Sequence, residues 1–157
     1  MGAPPLLYTE RDAMTESEKI PLSASGVRYL LALRELDRDG RGVRCAELAQ
    51  SLGLSRPSVH NMMDSFAGLG LVNKNAYGVV LLTEEGRLLA KRCERWADSV
   101  TVMLRDAFPN APDVRNAASM LLAEMTEADL DALCSRVETS PEGKEGKSNH
   151  GKGYAEN

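Results

Sequence analysis

Along the middle of the chain the apolar positions change their period. Leu48, Ala49 and Leu52 repeat at helical spacing, and Val59, Met62, Met63 and Phe66 do so again, whereas Leu71-Val72 and Val79 to Leu82 are short β-prone runs. The pattern predicts a helix, a tight turn, a second helix and a β-hairpin over residues 45 to 82. Gly53 supplies the positive φ that the turn needs, Ser55 is placed to cap the second helix, and Pro57 falls in its first turn, where a missing N–H costs little. With the apolar stripe turned inward, Arg56, Ser58, His60 and Asn61 face outward. Gly68 and Gly70 stop the helix, and Asn73 to Gly78 form the turn-rich tip of the hairpin, carrying Lys74 and Tyr77.

The flanks also read mainly as helix. Ser23 or Ser25 caps a helix through VRYLLALREL that ends at Asp39-Gly40, and either Val27, Leu30, Leu33 and Leu36 or Tyr29 and Leu33 are buried, depending on its rotation. Val43 is placed to add a third strand to the hairpin. Beyond Thr83 a long helix carries Leu89, Cys93, Trp96, Val100, Met103 and Ala107 at alternating spacings of four and three, an apolar seam expected to be the interface with a second copy of the chain. Two shorter helices follow, one after Pro112-Asp113 and one opened by a capping box at Thr126 to Asp129. The fold class is mostly α: a winged helix-turn-helix over 23–86 and a helical dimerisation domain over 87–139. A loosely held arm (1–22) and a glycine-rich, low-complexity tail (140–157) flank them.

Composition refines this picture. The net charge of −4 does not suggest a polyanion binder, but the charge is unevenly spread. Residues 23–92 hold ten Lys and Arg against seven Asp and Glu, and residues 93–139 hold four against nine. The basic excess lies on the winged half. Three separated cysteines, without a C-x-x-C or Cys/His cluster, indicate neither a zinc site nor a disulfide framework, and no cofactor is implied. No apolar run reaches membrane-span length and no signal-like start is present, so a cytoplasmic location is expected.

A short helix whose free face carries Arg, Ser, His and Asn near its N-terminus has the donors and acceptors that base edges and phosphates require. Double-stranded DNA is therefore the expected partner. Arg44, Ser55, Arg56, Pro57, Ser58, His60, Asn61, Lys74 and Tyr77 are the candidate contacts, with Lys74 and Arg44 on phosphates and Tyr77 on a sugar or on the hairpin itself. A winged helix also serves as a protein-interaction module, and the same residues would then be a solvated face. Nothing in the sequence assembles a catalytic set: the two histidines sit on the recognition helix and in the tail, and no glycine-rich phosphate loop follows a strand.

The segments VRYLLALREL (27–36), VRCAELAQSLGLSRPSV (43–59), GLV (70–72) and L-T-x-x-G (82–86) resemble the diphtheria toxin repressor family, which includes the manganese transport regulators, over Ser25 to Val137. The resemblance implies a homodimeric winged-helix repressor, with Ser55, Pro57, Ser58 and Asn61 at DNA-contacting places. It also implies a manganese or iron site built from an acidic residue on the first helix, a histidine on the long helix and a Glu-His pair on the next. Here those places hold Arg28 and Leu31, Ala97, and Leu122 with Ala123, none of which can ligate such an ion. Leu31, Ala97, Leu122 and Ala123 are expected to plug the former site, with Arg28 as a fixed charge near Glu94, Asp98 or Glu124.

Overall fold

The structure is a computed structural model and describes residues 19–139. Among the described residues there are six helices and three strands in the order α1 (Ala24–Leu36), β1 (Val43–Arg44), α2 (Cys45–Leu52), α3 (Arg56–Gly68), β2 (Val72–Lys74), β3 (Val79–Leu82), α4 (Glu84–Ala107), α5 (Val114–Glu124) and α6 (Glu127–Thr139). The antiparallel sheet has the order β1-β3-β2, with Val43 opposite Val80 and Val72 opposite Leu82. It is a winged helix-turn-helix followed by a helical domain.

Local chemistry accounts for the boundaries. Ser23 caps α1 by accepting from the Gly26 amide at 3.1 Å. The helix ends at Leu36, earlier than the periodicity predicts, because the Asp37 carboxylate accepts from the Gly42 amide at 2.8 Å and draws residues 37 to 42 into a turn. That rotation buries both candidate stripes, Val27, Leu30 and Leu33 together with Tyr29, and leaves Leu36 exposed. Gly53 closes α2 at φ +66, a conformation that strains any side chain with a Cβ. Ser55 caps α3, Asp113 caps α5 and Thr126 accepts from the Asp129 amide at the start of α6.

The wing is tied to α4 by one compact knot. The Thr83 hydroxyl caps α4 by accepting from the Gly86 amide at 3.0 Å and donates to the Gly70 carbonyl at 2.7 Å, while the Thr83 amide donates to the Leu71 carbonyl at 3.0 Å. Gly86 sits so close that a Cβ there would come within 2.0 Å of the Leu71 carbonyl oxygen. The L-T-x-x-G run is thus a packing requirement.

A single apolar cluster runs through both halves, from Ile20 to Cys134, and α1 packs on helices of each. Two expectations are corrected here. Residues 19 to 22, assigned to a loose arm, are held: Ile20 and Leu22 are buried, and Lys19 bridges to Thr126. The remainder of the arm and the tail from residue 140 lie outside the described residues.

The seam on α4 is likewise not a free interface. Cys93, Trp96 and Val100 are fully buried within the chain and Leu89 is half-buried, because α5 and α6 fold back over them. Only Met103, at 38 % exposure, and Ala107 at the end of the seam face outward. The polar residues beside the seam secure this cover. The Trp96 indole N–H donates to Asp131 at 2.8 Å, Arg92 lies over the Trp96 ring and pairs with Glu127, and Arg95 pairs with Glu138 at 3.2 Å. Heptad-like spacing reported an apolar face correctly but not which helix covers it.

All three cysteines are buried thiols, and burial pushes Cys93 up from its usual 9.0 to about 12 and Cys45 upward as well. Thiolate-specific labelling of the native chain at pH 8 should therefore be slow, with all three cysteines reacting only after unfolding; rapid native labelling would contradict the packing. Between pH 9.0 and about 12 the folded state retains a Cys93 proton that the unfolded chain releases, so this thiol contributes a loss of stability as pH rises through that window.

Glycine to alanine in a helix ordinarily stabilises by about 0.5–1 kcal/mol. Gly86→Ala should instead destabilise by about 1–3 kcal/mol, because the methyl group meets backbone rather than a mobile side chain. The midpoint of urea unfolding measures the sign directly.

Candidate nucleic-acid interface

The turn between α2 and α3 is only three residues long, so the position of α3 is set by the packing of α2 beneath it. Val59, Met63 and Phe66 bury the inner face of α3, with Met62 half-buried at its edge. Arg56, Pro57, Ser58, His60 and Asn61 are all exposed on the outer face. Ser55 is exposed but committed: its Oγ accepts from the Ser58 amide at 3.3 Å and lies 2.9 Å from the Ser58 hydroxyl. The two serines therefore brace the first turn together, and the freer donors and acceptors are Arg56, His60 and Asn61.

The wing tip is preorganised by one side chain. Asn75 Oδ1 accepts from the Tyr77 amide at 2.9 Å and from the Val79 amide at 3.0 Å, closing an Asx-type turn that leaves Tyr77 89 % exposed at the extremity. Tyr77 therefore stands off the hairpin instead of packing on it. Arg44 is exposed on β1, directly across from Val79, the first residue of β3 beside the wing tip.

Lys74 differs from its expected setting. It is the last residue of β2 rather than part of the tip, and its ammonium pairs with Asp64 on α3. Asp64 was not anticipated as a site residue, since spacing along the chain gives no sign of an ion pair between a helix and a wing ten residues apart. The pair joins α3 to the wing and neutralises a carboxylate on the exposed face.

The positions of the family's metal site were expected to be plugged, and the structure corrects this. Leu31 and Ala97 line one cleft with Arg28, Glu94 and Asp98, but the cleft is open, with a volume of about 410 Å³. Leu122 is fully buried in the core and Ala123 half-buried, and neither lines it. Glu94 is taken by Arg34 at 2.7 Å and Glu124 by Lys19 at 3.7 Å, so neither is the partner of Arg28. No group of three or more His, Cys, Asp and Glu side chains among the described residues is placed to hold a metal ion. Arginine, leucine and alanine at the five positions supply no donor for Mn²⁺ or Fe²⁺, so the residues present do not fit the family's metal. Among the described residues no helix is long and apolar enough to cross a membrane.

Comparison with known proteins agrees with this geometry. Residues 26–76 match the model of the IclR helix-turn-helix domain. Among solved structures, the chain is similar to the manganese regulator SloR, at 22% identity and TM-score 0.63, over 73% of this chain and 54% of that one. It is also similar to a hypothetical protein from Sulfolobus solfataricus at 20% identity and TM-score 0.58, over 78% of this chain and 96% of that one. A third likeness is to IdeR from T. acidophilum, at 23% identity and TM-score 0.57, covering 76% and 56%. The chain thus spans about half the length of the two regulators. No curated protein sequence matches it. The likeness is one of fold, and that fold is the one carried by metal-dependent transcriptional regulators, in agreement with the resemblance read from the sequence motifs.

Proposed function

We propose that the protein is a sequence-specific DNA-binding transcriptional regulator, a repressor acting as a homodimer, and that manganese or iron does not switch it. The observation that carries this reading is the outer face of α3, where Arg56, Ser58, His60 and Asn61 stand exposed at the N-terminal end of a helix fixed by its neighbours, with the Tyr77 wing beside it. Asn61 takes the base-reading role through its amide, Arg56 and His60 read or position along the groove, and Arg44 contacts phosphate. Lys74 supports binding chiefly by holding Asp64.

Dimerisation is part of the proposal because a two-fold protein matches two half-sites about one helical turn apart. Its interface would be drawn from apolar side chains that the helical half leaves exposed, including Leu88, Val102, Met103, Phe108 and Met120. Independence from metal rests on the non-ligating residues at Arg28, Leu31, Ala97, Leu122 and Ala123.

Fluorescence anisotropy against a selected duplex and a scrambled one tests the reading. Asn61→Ala should lose about 1–3 kcal/mol of discrimination at one or two base pairs. Arg44→Ala should weaken both duplexes alike and reduce the salt slope by about one, and Lys74→Ala should weaken both by uncovering Asp64. Saturation should occur at two chains per duplex. Equal affinity for both duplexes in the parent protein, or saturation at one chain, would contradict the proposal.

A further inference from the structure

The cleft between the winged half and the helical half has the makings of a ligand site in its own right. Half-buried Leu31 and Ala97 and buried Ala118 form its inner wall, and exposed Arg28, Arg38 and Arg115 stand at its mouth. Among the described residues none of these three guanidinium groups has a carboxylate within ion-pair distance. The carboxylates of the same cleft are mostly engaged already. Glu94 accepts from Arg34 at 2.7 Å, Asp113 accepts from the Asn116 amide at 3.0 Å, and Asp98 has an interaction of its own, which leaves Glu35 as the exception. Four carboxylates and three guanidinium groups line the cleft. The arginines, with no carboxylate within ion-pair distance among the described residues, are the groups open to an anion. Leu31, Ala97 and Ala118 offer it a small apolar contact, and a volume of about 410 Å³ admits a small metabolite.

We propose that this cleft binds a small organic oxyanion, a carboxylate or phosphate group held by the arginine forks with the apolar part of the ligand against Leu31 and Ala97. Guanidinium groups bind both oxyanions through paired, charge-assisted hydrogen bonds. The site is placed to act on the recognition helix. The cleft reaches Ser51 and Leu52 at the end of α2, and Arg28 also lines a separate groove shared with Ser58 and Asn61 of α3. A ligand that engages Arg28 alters the charge beside α3 and bridges α2 to α5. This regulatory role rests on the proposed DNA-binding reading, whereas occupancy of the cleft does not.

Calorimetric titration of the full chain tests occupancy with benzoate, succinate and glucose 6-phosphate, using benzamide and glucose as uncharged controls. At least one anion should bind saturably with a Kd below about 1 mM, and the controls should not. Whether the carboxylates or the sugar phosphate give the heat identifies the oxyanion. Arg38→Gln and Arg115→Gln should each weaken that binding about tenfold or more. Both residues are exposed, so the unfolding midpoint of each variant should match the parent. Failure of all three anions to bind, or equal binding by the variants, would overturn the site. In a second arm, the anion that binds should change the affinity for the selected duplex about tenfold. An unchanged duplex affinity would overturn the regulatory role, while absence of any duplex binding would overturn the proposed function and leave the calorimetric result standing.

Discussion

The placement of the wing, and through it of the whole outer surface, depends on the contact between the Leu71 carbonyl and the first turn of α4. Thr83 donates one hydrogen bond to the turn that ends α3, receives another from α4, and sends its own amide to the base of β2. Gly86 leaves room for that approach, since any larger residue would place a carbon where the carbonyl oxygen lies. Helix α3, the wing and the long helix α4 are therefore fixed relative to one another within a few residues. A hydroxyl cap of this kind contributes about 1 kcal/mol by itself, but here it also sets geometry: α3, the wing and the long helix cannot be repositioned separately.

Much of this was legible in the sequence because the signals were local. Gly53, Ser55, Pro57 and the stripe through Val59, Met63 and Phe66 each specify a backbone state or a buried face within a few residues, and the structure places them accordingly. What could not be read depended on partners distant along the chain. The apolar spacing through Cys93, Trp96 and Val100 showed that something covers α4, but the identity of the cover was decided by Asp131, Glu127 and Glu138, which meet that helix only after the chain has reversed twice. Lys74 read as a free cation for the same reason, its counter-charge Asp64 lying on another element.

The region of the family's metal site combines both lessons. That the corresponding positions carry no metal-ligating side chains was visible residue by residue, but side chains of the right polarity do not by themselves fill space. Leu122 turns into the core instead of toward the expected site, and the resulting cleft is bordered by arginines drawn from α1, the turn after it and α5. The basic character of the winged half and the acidic character of the helical half meet there, so the boundary between the two is electrostatically active as well as sterically open.

The central claim is that the α3 face reads a DNA sequence without help from a transition metal. Selection of bound duplexes from a random pool, run in parallel with and without a strong chelator, addresses both parts at once. The account predicts one enriched motif, the same in both arms and with two-fold symmetry. Enrichment that disappears with the chelator would contradict the metal-independent part, and a pool that stays random in both arms would contradict sequence recognition itself.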